Sequence, residues 1–232
     1  MDYDVYLIVM RDGRTHAHVP ALVGCNWRGA TPEEALDRAP AAIEAHLAWL
    51  RRHDLPAPAE GEPVACRPVE QRSTVRGGGL VGFFESDRGP VAAGEVREFL
   101  HLMDCSRQDL LALTRDLPDE VLDWEPAPGS WSIRQILQHV ANAERWYLAR
   151  ILASEDLPRL KRSRTVWERL EKVRALAVER LSGLSEIQRT ATVVTDGEMW
   201  TARKVFRRFI EHEREHYAHA IQVLDARGLP RP

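Results

Sequence analysis

Three histidines crowd into one short stretch, EHEREHYAHA at residues 211–220, and its first part reads H-E-x-x-H. Neutral imidazole is a common metal ligand near pH 7. H-E-x-x-H on a helix is also the signature of zinc proteases. The surroundings of His212, His216 and His219 therefore matter. Val205, Phe209, His212, His216, His219 and Val223 are spaced 4, 3, 4, 3 and 4 along the chain, which puts all six on one stripe of a helix. The histidines then point where Val and Phe point, toward a core, while Glu211, Arg214 and Glu215 are expected to face elsewhere and Glu213 to fall outside the stripe. A buried polar group without a partner costs about 1–3 kcal/mol. A metal ion between His212 and His216 satisfies both rings at once, provided that a third protein ligand exists.

The stretch SIRQILQHVANAERWYLARIL supplies one. His139 lies three residues after Ile136 and four before Ala143, on or beside the inward face of a second helix. Helices packed about 8–10 Å apart bring such rings within reach of one ion. His139, His212 and His216 are thus the candidate metal ligands, with Glu144 and Tyr147 in the next layer. His219 is read as lining a pocket or facing a subunit partner. The competing reading is that the imidazoles are hydrogen-bonded core groups without an ion. For a protease, Glu213 would have to activate water, yet it lies off the stripe, and residues 217–232 contain no H-x-x-G-x-x-H. Imidazole suits zinc, nickel, copper or iron; a divalent ion, zinc or nickel, is the expected occupant.

Two kinds of periodicity position these residues. Up to about Arg88 the pattern is strand-like with one helix. YDVYLIVM and RTHAHVPAL read as strands around the turn RDG, and VACRPVEQ and GLVGFFES as further strands separated by a flexible RGGG. Thr31, Pro32 and Glu34 mark the start of the helix, which PAPAEGEP ends. After DRGPVAAGE the apolar period becomes helical. Helices are expected at about 93–115, 133–154, 164–183 and 202–227, with Ser132/Gln135 as a capping box, Thr201 as a cap and TDGE as a turn. The fold class is therefore an α+β two-domain chain. A small sheet with a helix spans residues 1–88, and an up-and-down four-helix bundle spans 91–229.

PGSWSIRQILQHVANAERWY followed far downstream by FIEHEREHYAHAIQVLDARG resembles the DinB/YfiT-like superfamily over about residues 93–228. The resemblance implies that His139 from the second helix and the His212/His216 pair from the last bind a divalent metal. It further implies chemistry on small molecules: transfer of low-molecular-weight thiols, thiol-dependent isomerisation, or hydrolysis. A homodimer is a further implication. Where the family commonly ends this motif H-R-G-Q, the chain reads His216-Tyr217-Ala218-His219. HAHVPALVGCNWRGATPEEALDRAPAAIEAHLAWLRRHDLPAP is similar to the HicB-like antitoxin fold, without its DNA-binding tail. That similarity implies a structural role for Gly24, Gly29 and Thr31 and leaves open a protein partner for the N-terminal domain.

Composition narrows the classes. Of 232 residues, 44% are hydrophobic and 29% charged, as in ordinary globular proteins. A net charge of -3 argues against a broad nucleic-acid-binding face. Cys25, Cys66 and Cys105 are odd in number and form no C-x-x-C, which argues against disulfides and thiolate metal sites. MDYDVYLIVM lacks a basic leader, and no run reaches the roughly 18 apolar residues of a membrane span. A cytoplasmic setting is expected, with reduced thiols, no membrane and no nucleic acid. Trp124, Trp131, Trp146, Trp167 and Trp200 are read as packing and loop anchors, with Trp146 or Trp200 as a candidate pocket wall; the Arg159–Arg164 run is read as a solvated helix approach. Two functions remain. One is a metal-dependent thiol transferase or hydrolase acting on a small molecule, with no catalytic base identified. The other is a non-catalytic interaction or stress-response module.

Overall fold

The structure is a computed structural model describing residues 1–73 and 82–229. It divides into two compact units, Met1–Asp87 and Arg88–Pro232.

In the first unit, strands β1 (Asp2–Val9), β2 (Thr15–His18) and β3 (Asn26–Gly29) precede helices α1 (Pro32–Asp37) and α2 (Ala39–Arg52), and β4 (Ala65–Ser73) follows. The sheet order is β3-β2-β1-β4, with β1 parallel to β4 and the other pairs antiparallel. Leu7, Ala17 and Trp27 stand opposite one another across three strands, and the Trp27 indole donates to Ala35 O at 2.7 Å, tying this face to α1. The other face carries Tyr6 and His18, packed on Phe84 at 5.0 and 5.2 Å between ring centroids.

The single helix expected here is in fact two, broken at Arg38. Pro40 explains the break, because it lacks the N–H and its ring would meet the carbonyl of Leu36. Thr31 accepts from Glu34 N as its spacing predicts. No strand forms at 82–88, where residues 85–88 instead make a short 3-10 turn. The remainder of GLVGFFES, and the RGGG before it, lie outside the described residues.

The second unit is built on four long helices. α3 (Ala93–Thr114) is followed by a short α4 (Asp119–Leu122), then α5 (Ile133–Leu148) and α6 (Val166–Ser182). A short α7 (Glu186–Thr190) and a hairpin of β5 (Thr192–Thr195) and β6 (Glu198–Thr201) lead into α8 (Ala202–Ala226). The Ser132/Gln135 capping box opens α5, and Thr201 caps α8. Asp196 and Gly197, both at positive φ, make the two-residue turn of the hairpin that the TDGE motif marks.

One expectation is corrected. The neighbouring helix pairs are α5–α6, α5–α8, α3–α8 and α3–α6, so the consecutive pairs α3/α5 and α6/α8 sit diagonally and the bundle is not a simple up-and-down one. Both diagonal connections are long enough for this: residues 115–132 carry α4, and residues 183–201 carry α7 and the hairpin. The core between the helices includes Leu110, Ile136, Leu137, Val140, Leu170, Val173 and Val223.

Candidate metal centre

α5 and α8 pack against each other, and each turns its histidines toward the shared interface. His139 sits near the middle of α5, between Ile136 and Val140, which are fully buried. His212 and His216 lie one turn apart on α8. One nitrogen from each of the three rings falls within 4.8 Å of the other two, and among the described residues no fourth His, Cys, Asp or Glu joins the group.

The Nε2 atoms of His139 and His212 are 3.0 Å apart. Ring centroids are separated by 4.9 Å for His139–His212, 4.8 Å for His139–His216 and 4.4 Å for His212–His216. Zinc–nitrogen bonds of about 2.0–2.1 Å in tetrahedral array need nitrogens about 3.3–3.4 Å apart. The three nitrogens, all within 4.8 Å of one another, lie on the scale of that spacing, so the donor set fits a divalent ion of the zinc class with one position left over.

Electrostatics favour the same use. Burial holds the His212 imidazole well below its ordinary titration range, and the adjacent His216 pushes it the same way. Burial also lowers His139, with His219 adding to the effect and Glu215 opposing it. Rings that shed their protons easily present lone pairs at neutral pH, as metal binding requires.

The surroundings divide into a closed and an open side. His212 is only 7% exposed and has the Tyr147 ring edge-on at 5.6 Å. Tyr147 in turn packs on Phe209 at 5.7 Å, and its hydroxyl accepts from Arg208 at 3.4 Å. Arg208 also donates to Glu211 and Glu215, both at 3.0 Å. On the open side stands Trp131, 39% exposed. Its ring lies 4.7 Å from His139, 5.8 Å from His216 and 6.1 Å from His219. His219 is thus beside the cluster, its ring tilted against His216 at 5.9 Å, and outside the nitrogen triad.

Several residues take other places than their spacing predicts. Glu211 and Glu213 are both 1% exposed, because α8 is buried on nearly every side from Ala202 to Glu213. Glu213 accepts from Arg107 at 2.5 Å and from Arg174 at 2.9 Å. Glu144 accepts from Arg107 at 2.6 Å and also pairs with Arg174. These four residues, one from each long helix, close a ring of ion pairs in the bundle interior. Burial works against the ionised form of Glu213, but the two guanidiniums outweigh it and hold its carboxyl below the usual range. A carboxylate committed in this way is no base for a protease, and Glu144 belongs to the same ring rather than to the histidines. Trp131, read from the sequence as a loop anchor, is the functional neighbour the spacing missed. Its only signal is its place just before the Ser132 cap. The Arg159–Arg164 run borders a polar groove where Asp119 and Asp123 hold Arg134 at 2.5 and 2.6 Å.

Among curated proteins no match was found. Two solved structures are similar to the chain. One is YfiT from Bacillus subtilis, described as a probable metal-dependent hydrolase with an unusual four-helix bundle topology; identity is 16% over 62% of this chain and 93% of that one, with a TM-score of 0.48. The other is TT2238, a four-helix bundle protein, at 23% identity over 56% of this chain and 98% of that one, with a TM-score of 0.41. The sequence profile of the DinB superfamily matches residues 102–220, just over half of the 232-residue chain and a span containing all three histidines, and by that match the chain belongs to the DinB superfamily.

Proposed function

We propose that the bundle holds one divalent metal ion on His139, His212 and His216 and uses the remaining position for chemistry on a small molecule, by hydrolysis or by transfer of a low-molecular-weight thiol. The observation that carries this reading is the group of three nitrogens within 4.8 Å, drawn from two helices, with no fourth ligand among the described residues. Structural zinc sites are closed by four protein ligands, whereas catalytic ones keep a position for water or substrate. A divalent ion held there acts as a Lewis acid and brings the pKa of a bound water or thiol toward neutrality.

The chain's own residues do the rest. Burial disfavours the charged forms of His139 and His212, which keeps their lone pairs available to an ion. Tyr147 and Phe209 keep water from the His212 side, and Trp131 and His219 border the side through which a substrate enters. Family membership and the histidine triad agree in pointing to metal dependence. YfiT's description as a probable metal-dependent hydrolase names the first activity to assay.

The test is elemental analysis of protein purified without a nickel column. About one divalent ion per chain is expected, lost in each of His139→Ala, His212→Ala and His216→Ala. Metal content unchanged by all three substitutions would end the proposal.

A further inference from the structure

Trp131 occupies a position that core packing does not require. Its backbone is pinned from both directions. Before it, Ser130 N donates to Ala127 O at 3.0 Å, and the Ser130 hydroxyl oxygen accepts from Ala127 N at 2.9 Å. After it, Ser132 N donates to Gln135 Oε1 at 2.8 Å in the capping box of α5. A residue just before a helix cap commonly packs on the fourth helical residue, here Ile136, which is fully buried. The indole lies instead against His139, one turn further on, and stands at 15° to the His216 ring and 26° to the His219 ring. More than a third of it remains exposed. The result is an aromatic plate held beside the three histidine rings, packed on His139, His216 and His219, whereas Tyr147 packs on His212.

We infer that Trp131 is the substrate-facing wall of the centre and selects molecules carrying a planar, uncharged, unsaturated group next to the atom that binds the metal. The inference rests on the metal-centre reading above. Aromatic groups attract one another at centroid separations of about 4.5–7 Å, the range in which Trp131 already holds three imidazoles. Indole also attracts cations. A divalent ion on three neutral imidazoles leaves two positive charges at the site, and these repel a cationic neighbour. A neutral flat group experiences the attraction without the repulsion.

Acetohydroxamate and benzohydroxamate test this, because both chelate through the same two oxygens and differ by a phenyl ring in place of a methyl group. Their affinities are measured by calorimetric titration on zinc-loaded wild type, Trp131→Ala and Trp131→Phe, alongside zinc content and Tm. The expected result is about tenfold tighter binding of benzohydroxamate to wild type. That preference disappears in Trp131→Ala and persists largely in Trp131→Phe, with zinc content retained in both. Equal affinities in wild type, or a preference that survives Trp131→Ala, overturn the role of Trp131 while leaving the metal centre standing. Failure of the wild type to take up zinc at all removes the centre and the inference with it.

Discussion

His212 illustrates how one side chain couples position to chemistry. Its ring is buried and adjacent to two other imidazoles, so its folded pKa lies well below its ordinary value. In an unfolded chain histidine titrates near about 6.5. Below that pH the unfolded chain binds more protons than the folded one, and stability falls as pH falls until the folded pKa is passed. His139 is shifted in the same direction and adds to the effect. Metal-free protein is therefore expected to lose Tm steadily from pH 7 to pH 5, and His212→Gln to flatten that slope. A Tm that rises on acidification contradicts the assignment. The inward direction of these rings was legible in the sequence because Val205, Phe209 and Val223 share their stripe. The place of Trp131 was not, because no periodicity constrains a loop residue; the turn before it and the capping box after it fix where its indole goes.

Helices carry the next level of the argument. A stripe analysis treats a helix as having one buried face, and for most of α5 that holds. α8 breaks the assumption, since Lys204, Arg207, Arg208, Glu211 and Glu213 are all buried along with its apolar residues. Glu213 is matched by Arg107 and Arg174, far away in sequence, whereas Glu211 pairs with Arg207 and Arg208 on the same helix. The apolar stripe registers neither kind of pairing, which is why spacing alone places both glutamates outside. The ring of Arg107, Glu144, Arg174 and Glu213 sets the rotation of all four helices about their axes, and with it the direction in which His139 and His212 point. Arg174→Met leaves two buried carboxylates to one guanidinium, and a loss of about 3–5 kcal/mol is expected in urea unfolding. A loss under about 1 kcal/mol, the scale of exposed pairs, shows that the ring does not hold the helices. The Ser132 cap acts at the other end of α5. Ser132→Ala should lower stability by about 1 kcal/mol and loosen Trp131, which a change in the quenching of its fluorescence by acrylamide will register. The diagonal placement of consecutive helices was not legible either, because apolar periodicity identifies which face is buried but not which neighbour buries it.

At the scale of the whole molecule, the three histidines, Trp131 and the ion-pair ring all belong to the second of two compact units, and the four-stranded sheet belongs to the first. The chemistry and the sheet can thus be perturbed separately. Gly29 ends β3 where α1 comes closest: a Cβ there would lie 2.6 Å from Ala35 N and 2.8 Å from Ala35 Cα. Both atoms are backbone, so Gly29→Ala forces α1 off the sheet and should destabilise the first unit by about 1–3 kcal/mol. On the proposed reading, zinc would bind only the folded second unit and at a hundred times its dissociation constant would add about 2.7 kcal/mol there. Calorimetry of the full chain should accordingly resolve two transitions. Zinc should raise one of them and a chelator return it, while Gly29→Ala lowers the other and leaves the zinc response unchanged. If Gly29→Ala instead abolished the zinc response, the first unit would have to contribute to holding the metal, and a centre built from α5 and α8 alone would be untenable.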